Sequence, residues 1–145
     1  MKKLILLLLF IPLVSFGQNA NKKKNENEQN VLIMGRKTWE SIPENYRELK
    51  NRTCYVVSRN ESLEFKNQVE SYKDTYLVSK LDQTSTFMSN TENVNVWIIG
   101  GASIYNEMIT NYGVSEIYAT EIYTNKGEEY DCSSYFPNID ENRFK

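Results

Sequence analysis

Val94-Asn95-Val96-Trp97-Ile98-Ile99-Gly100-Gly101-Ala102-Ser103-Ile104-Tyr105 is the segment from which the architecture of this chain can be read. Its first part is rich in β-branched and aromatic residues, the composition of a buried strand, and a helix-forming run from Ala102 to Ile109 follows after the Gly100-Gly101 step. Two residues without a Cβ permit a sharp turn and let another group approach the main chain. The unpaired N–H groups of the next helix's first turn favour an anion. A Gly-Gly step alone is ordinary turn chemistry, so its meaning depends on whether the chain repeats the unit.

It does. Val31-Leu32-Ile33-Met34 is a second short apolar run, closed by Gly35, after which Arg36, Lys37 and Thr38 open a helical stretch through Ile42 that Pro43 stops. Glu44 to Asn51 reads as polar loop, and Thr53-Cys54-Tyr55-Val56-Val57 is a third run that ends in Ser58-Arg59. Three predicted strands thus finish in residues suited to phosphate. Open, mostly parallel α/β sheets bind ligands beyond the carboxyl ends of their strands, and this is the fold class expected. Tyr76-Leu77-Val78 is a further short strand, and Ser79-Lys80-Leu81-Asp82 has the spacing of a capping box opening a helix through Met88. Glu116 to Tyr123 alternates as a strand does, with Tyr118 and Tyr123 expected to be packing residues, and Tyr135-Phe136-Pro137 lies in an irregular tail.

With 145 residues the chain suffices for one domain, and a net charge of -2 gives no footing for nucleic acid. A histidine count of 0 excludes imidazole general bases and His-ligated metal, and no metal site is expected. Cys54 and Cys132 lie in no ligand spacing and are expected to be unpaired, buried thiols. Residues 1–17 resemble a signal peptide: Lys2 and Lys3 precede an apolar run from Leu4 to Val14, and small residues follow at Ser15 and Gly17. The run is shorter than the roughly 20 residues that span a bilayer, so no stable membrane span is expected. Residues 18–30 are polar and read as a linker. The leader points to export.

Four blocks together resemble dihydrofolate reductase: Val31 to Pro43, Val56-Val57-Ser58-Arg59, Trp97 to Tyr105 and Tyr135-Phe136-Pro137, in matching order and spacing over roughly residues 29 to 145. The resemblance implies a three-layer α/β fold with a mostly parallel central sheet, a monomer, and NADPH-dependent reduction of 7,8-dihydrofolate to tetrahydrofolate. It assigns Gly35, Arg36, Lys37 and Thr38 to the cofactor's diphosphate side, and Val57, Ser58 and Arg59 to the adenosine ribose and its 2′-phosphate. Arg36 and Arg59 suit a phosphate dianion, so NADPH is expected over NADH. Gly100 and Gly101 match a pair joined by a cis peptide, and Ile99 with Ala102, Ser103, Ile104 and Tyr105 closes over the diphosphate and nicotinamide. For the substrate it implies Ser41, Ile42 and Ile99 beside the reacting rings, Leu49 along the benzoyl group, Arg52 on the α-carboxylate, and Thr120 bonded to the pterin-binding carboxylate.

In the family a first strand, a mobile loop and a helix bearing the catalytic carboxylate precede the segment matched by Val31. Residues 1 to 30 hold no acid that matches that carboxylate, since Glu26 and Glu28 sit too close to the strand. No catalytic residue is therefore assigned. The domain, residues 31–145, is expected to be truncated at both ends, with the family's last hairpin also lacking. That pattern admits a second reading, an exported, non-catalytic nucleotide-binding remnant. Cytoplasmic residence is the alternative that folate metabolism implies.

Overall fold

The computed structural model describes residues 29–49, 51–84, 94–119, 132–140 and 142–144. The leader-like segment 1–17, residues 18–28 of the expected linker, Thr120 and Tyr123 lie outside the described residues.

Four strands form one sheet: β1 (Gln29–Gly35), β2 (Arg52–Val57), β3 (Thr75–Val78) and β4 (Val94–Ile98), in the spatial order β3-β2-β1-β4 with every neighbour parallel. Parallel strands are covered on both faces, which is why the sequence shows near-continuous apolar runs and little alternation. Among the described residues three α-helices cover them: α1 (Arg36–Ser41) between β1 and β2, α2 (Leu63–Glu70) between β2 and β3, and α3 (Ala102–Asn111) after β4.

On one face, Leu32, Met34, Cys54 and Val56 pack against Trp39 of α1, Ile42 just beyond it, and Phe65 and Val69 of α2. On the other, Val31, Ile33 and Tyr55 pack against Leu81 and against Ile104 and Met108 of α3. Phe65/Val69 and Ile104/Met108 are each spaced by four, which sets both side chains of a pair on one helical face. Burying a side chain of this size contributes about 1.5–3 kcal/mol. The result is helix, sheet, helix, the three-layer α/β arrangement expected.

Several boundaries differ from the sequence reading. β1 begins at Gln29, so Asn30, assigned to the linker, is a strand residue only 2% exposed. The helix expected from Ser79 is a single 3-10 turn at Leu81–Thr84 over the described part. Its cap is also different: Gln83 Oε1 accepts from the backbone N–H groups of Ser79 at 2.8 Å and Lys80 at 3.3 Å, a task given to Asp82 by the spacing. Glu116 to Ala119 is irregular where a strand was expected; Tyr118 does pack, its ring 5.7 Å from that of Trp97, but it is 58% exposed and its hydroxyl donates to Glu116 Oε2 at 2.7 Å. Both cysteines are free, Cys54 buried and Cys132 only partly so.

The helix α2 has no counterpart in the sequence reading. Ser62 caps it, its Oγ accepting from Phe65 N–H at 3.3 Å, and Asp74 in the left-handed region (φ 53) leads from it into β3.

Candidate functional site

Because all four strands run the same way, their carboxyl ends meet along one edge. Gly35 is paired with Val57 and Val57 with Val78, while β1 and β4 are joined past their last ladder pair by Ile99 N–H to Ile33 O (3.0 Å) and Gly35 N–H to Gly100 O (2.7 Å). This edge gathers most of the cofactor candidates. The Gly100–Gly101 peptide is cis, as the resemblance implied, and Gly100 has φ +109. A Cβ on Gly100 would lie 3.2 Å from the Tyr105 ring, and one on Gly35 would lie 3.3 Å from Ile104 Cγ1. At Gly101 the only nearby atom is Thr38 Oγ1, at 3.7 Å.

Beyond Gly101 the first turn of α3 begins with no side-chain cap, so its leading N–H groups remain available to an acceptor. Tyr105 N–H closes the first intrahelical bond, to Gly101 O at 3.0 Å. Burial pushes the Tyr105 phenol up to about 12, and its ring lies 4.9 Å from that of Phe136. Phe136 of the aromatic tail thus buttresses the segment Ala102–Tyr105.

The cations stand beside this cradle. Arg36 and Ser58 directly follow the paired residues Gly35 and Val57, which sets Arg36, Lys37, Ser58 and Arg59 along one rim. Lys37 and Arg59 are exposed. Arg36 is held by Glu40, with Nη1 donating to both carboxylate oxygens at 2.8 and 3.2 Å. Ser58 is buried, its N–H donating to Val78 O at 2.9 Å and its Oγ accepting from Asn60 N–H at 3.0 Å. The set offers two guanidiniums and an ammonium to an anion, and among the described residues no carboxylate besides Glu40 is bonded to them.

The substrate candidates take another course. Ser41 is exposed and its hydroxyl donates to Thr38 O at 2.6 Å, whereas Ile42 is buried and Leu49 and Ile99 pack partly buried on the α1/α2 face. Arg52 opens β2, so it sits at the amino end of the sheet, on the same face as Cys54 and Val56. At about 3.3 Å per residue it is roughly 17 Å from Val57. Cofactor and carboxylate candidates therefore occupy opposite ends of the sheet, and Ile42, Leu49 and Ile99 line the face between them. Burial lowers the Arg52 pKa, with Cys54 opposing, and burial likewise pushes the Cys54 thiol up to about 12, so it stays a neutral packing group.

Sequence reasoning overlooked Arg47. Assigned to polar loop, it is only 8% exposed and its guanidinium lies 4.2 Å over the Trp39 ring. Nε donates to Ile42 O at 2.9 Å and Nη2 to Glu40 O at 3.2 Å. Nothing local in the sequence signals this, because the partners are carbonyls and a ring brought close by the turn at Glu44–Tyr46.

Among the described residues no group of His, Cys, Asp or Glu is placed to hold a metal ion, and no helix is long and apolar enough to cross a membrane.

Residues 14–145 match the family model for dihydrofolate reductase, a span that takes in the polar stretch 18–30 as well as the described sheet. The chain is 33% identical over 130 residues to the dihydrofolate reductase of Heliothis virescens, covering 89% of this chain and 66% of that protein. It is 36% identical over 124 residues to the dihydrofolate reductase of Bos taurus, covering 83% and 61%. Similarity extends to the bifunctional dihydrofolate reductase-thymidylate synthase of Plasmodium chabaudi, at 32% over 117 residues, 81% of this chain and 19% of that one. The chain therefore spans less than two thirds of the length of each of these three relatives.

Proposed function

The chain belongs to the dihydrofolate reductase family, and we propose that it binds NADPH along the carboxyl edge of its sheet and reduces 7,8-dihydrofolate to tetrahydrofolate. The observation that carries this reading is the junction of Gly35, Gly100 and Gly101, where main chain meets main chain beside the uncapped first turn of α3. Such a junction fits a diphosphate. The α3 N–H groups and Thr38 hydroxyl supply donors, and a side chain on Gly101 would intrude on the space beside Thr38.

When bound, NADPH supplies the hydride that reduces C6 of the pterin. The proton that N5 takes up would come from solvent before the hydride moves, since no acid of this chain is assigned to it, and the residues of the chain bind and orient the two reactants. Arg36, Lys37 and Arg59 hold the phosphates, Arg59 with Ser58 taking the 2′-phosphate that distinguishes NADPH from NADH. Ile99 and the segment Ala102–Tyr105, buttressed by Phe136, keep water from the reacting rings. Leu49, backed by the buried Ile42, forms the apolar wall beside the benzoyl group, and Arg52 pairs with the α-carboxylate at the far end, where its partly buried guanidinium meets less competition from solvent.

The test is a titration of the full chain with NADPH and with NADH. Alanine at Arg59 is expected to weaken NADPH by at least about tenfold, one charge-assisted contact, while NADH changes by less than about threefold. Equal losses would remove the cofactor assignment. Turnover of dihydrofolate by the wild type separates an active reductase from a nucleotide-binding remnant, which would bind NADPH and leave dihydrofolate unreduced.

A further inference from the structure

Arg47 carries a charge into the core at a place where an apolar side chain would fill the same volume. Its nearest carboxylate oxygen, Glu44 Oε1, is 3.9 Å away on a side chain 79% exposed, and its Nη1 is buried with no hydrogen-bond partner among the described residues. A buried guanidinium without a close counter-ion is a costly way to gain stability. What it supplies is geometry. The planar fork donates simultaneously to Glu40 O and Ile42 O, carbonyls at the carboxyl end of α1, while its face lies on Trp39. Those carbonyls belong to a helix end that lacks enough backbone donors of its own.

The connection is short on both sides. Tyr46 N–H to Pro43 O (2.8 Å) and Arg47 N–H to Glu44 O (3.2 Å) tighten the turn that swings Arg47 back onto α1. Only Glu48 separates Arg47 from Leu49, and Asn51, in the left-handed region (φ 60), then directs the chain into Arg52. We infer that Arg47 is a positioning residue for the tail half of the substrate: by tying the 43–49 turn to the end of α1 it sets where Leu49 and Arg52 stand relative to Ile42. This rests on the dihydrofolate reading above, and it deepens it.

The experiment compares three probes by calorimetry on the full chain: 7,8-dihydrofolate, 7,8-dihydrobiopterin, which has the pterin without the benzoyl-glutamate tail, and NADPH. Wild type, Arg47→Met and Arg47→Lys are measured side by side. Methionine keeps the volume, and lysine keeps the charge but lacks the planar fork that spans the two carbonyls while lying flat on Trp39. Both variants are expected to bind dihydrofolate about tenfold more weakly, the loss expected for charge-assisted bonds to carbonyls, with dihydrobiopterin and NADPH unchanged within about twofold. A variant that loses both pterins equally, or neither, overturns the inference and leaves the functional reading standing. Should Arg47→Met fail to fold, the same criterion applied to Arg47→Lys decides. A wild type that does not prefer dihydrofolate over dihydrobiopterin brings down the functional reading and this inference together.

Discussion

The two ends of the sheet are built by different means. At the carboxyl edge, Gly35 is fixed by a main-chain bond to Gly100 and Ile99 by one to Ile33, and side chains contribute chiefly by their absence. At the amino end and along the α1/α2 face, position is fixed by side chains: Trp39 seated between Phe65, Tyr72 and Arg47, and Arg47 bonded to the end of α1. A backbone-built site tolerates little variation at a few positions and much elsewhere. A site built from side chains spreads its demands over residues distant in sequence.

Substitutions should separate the two modes. Trp39→Ala is expected to have the largest effect, roughly 4 kcal/mol, because it empties a site 1% exposed and removes the surface on which Arg47 lies. Urea unfolding measures it, and a value under about 1 kcal/mol would mean that the α1/α2 face does not depend on this ring. Gly100→Ala combines a positive φ with a Cβ 3.2 Å from the Tyr105 ring, and should cost about 3 kcal/mol. Gly113, with nothing within 4 Å of its Cβ position, is the control, and alanine there should stay within about 0.5 kcal/mol.

Ser62→Ala removes the cap of α2, which lies under the side-chain-built half alone. Thermal unfolding should report a loss of about 1 kcal/mol, with NADPH affinity unchanged. Smallest of all is Glu40→Gln. The exposed Arg36–Glu40 pair is worth about 0.3 kcal/mol, so stability should hardly move, yet NADPH should bind more tightly because Arg36 no longer divides its charge. A weaker NADPH complex in this variant would mean that Glu40 orients Arg36 toward the cofactor.

The carboxyl edge was the more legible half, for the same physical reason. Strand, glycine and helix recur in the sequence at Val31–Ile42 and Val94–Ile109, and backbone-built geometry leaves its mark as glycines at fixed places. Side-chain geometry leaves no such mark. Arg47 sits in a polar run, and its partners are carbonyls that any sequence supplies. Asn30 was placed in a linker because a polar residue at a strand's start looks like its neighbours Asn25 to Gln29, and only the sheet on both flanks buries it. The helix α2 was overlooked because two of its eight residues, Phe65 and Val69, carry the whole apolar face, while Leu63, the other large apolar residue, is 72% exposed and blurs the period.

One consequence of the strand order concerns how the chain assembles. β1 is flanked by β2 on one side and β4 on the other, and its run Val31–Met34 is among the most completely buried in the molecule. During synthesis β1 emerges early, but its second neighbour does not exist until residue 98 has left the ribosome. Until then the stickiest strand of the protein presents an open edge, a condition that slows folding and invites association with other chains. The closing bond from Gly35 to Gly100 therefore marks the point at which β1 has a neighbour on both sides and no longer presents an edge.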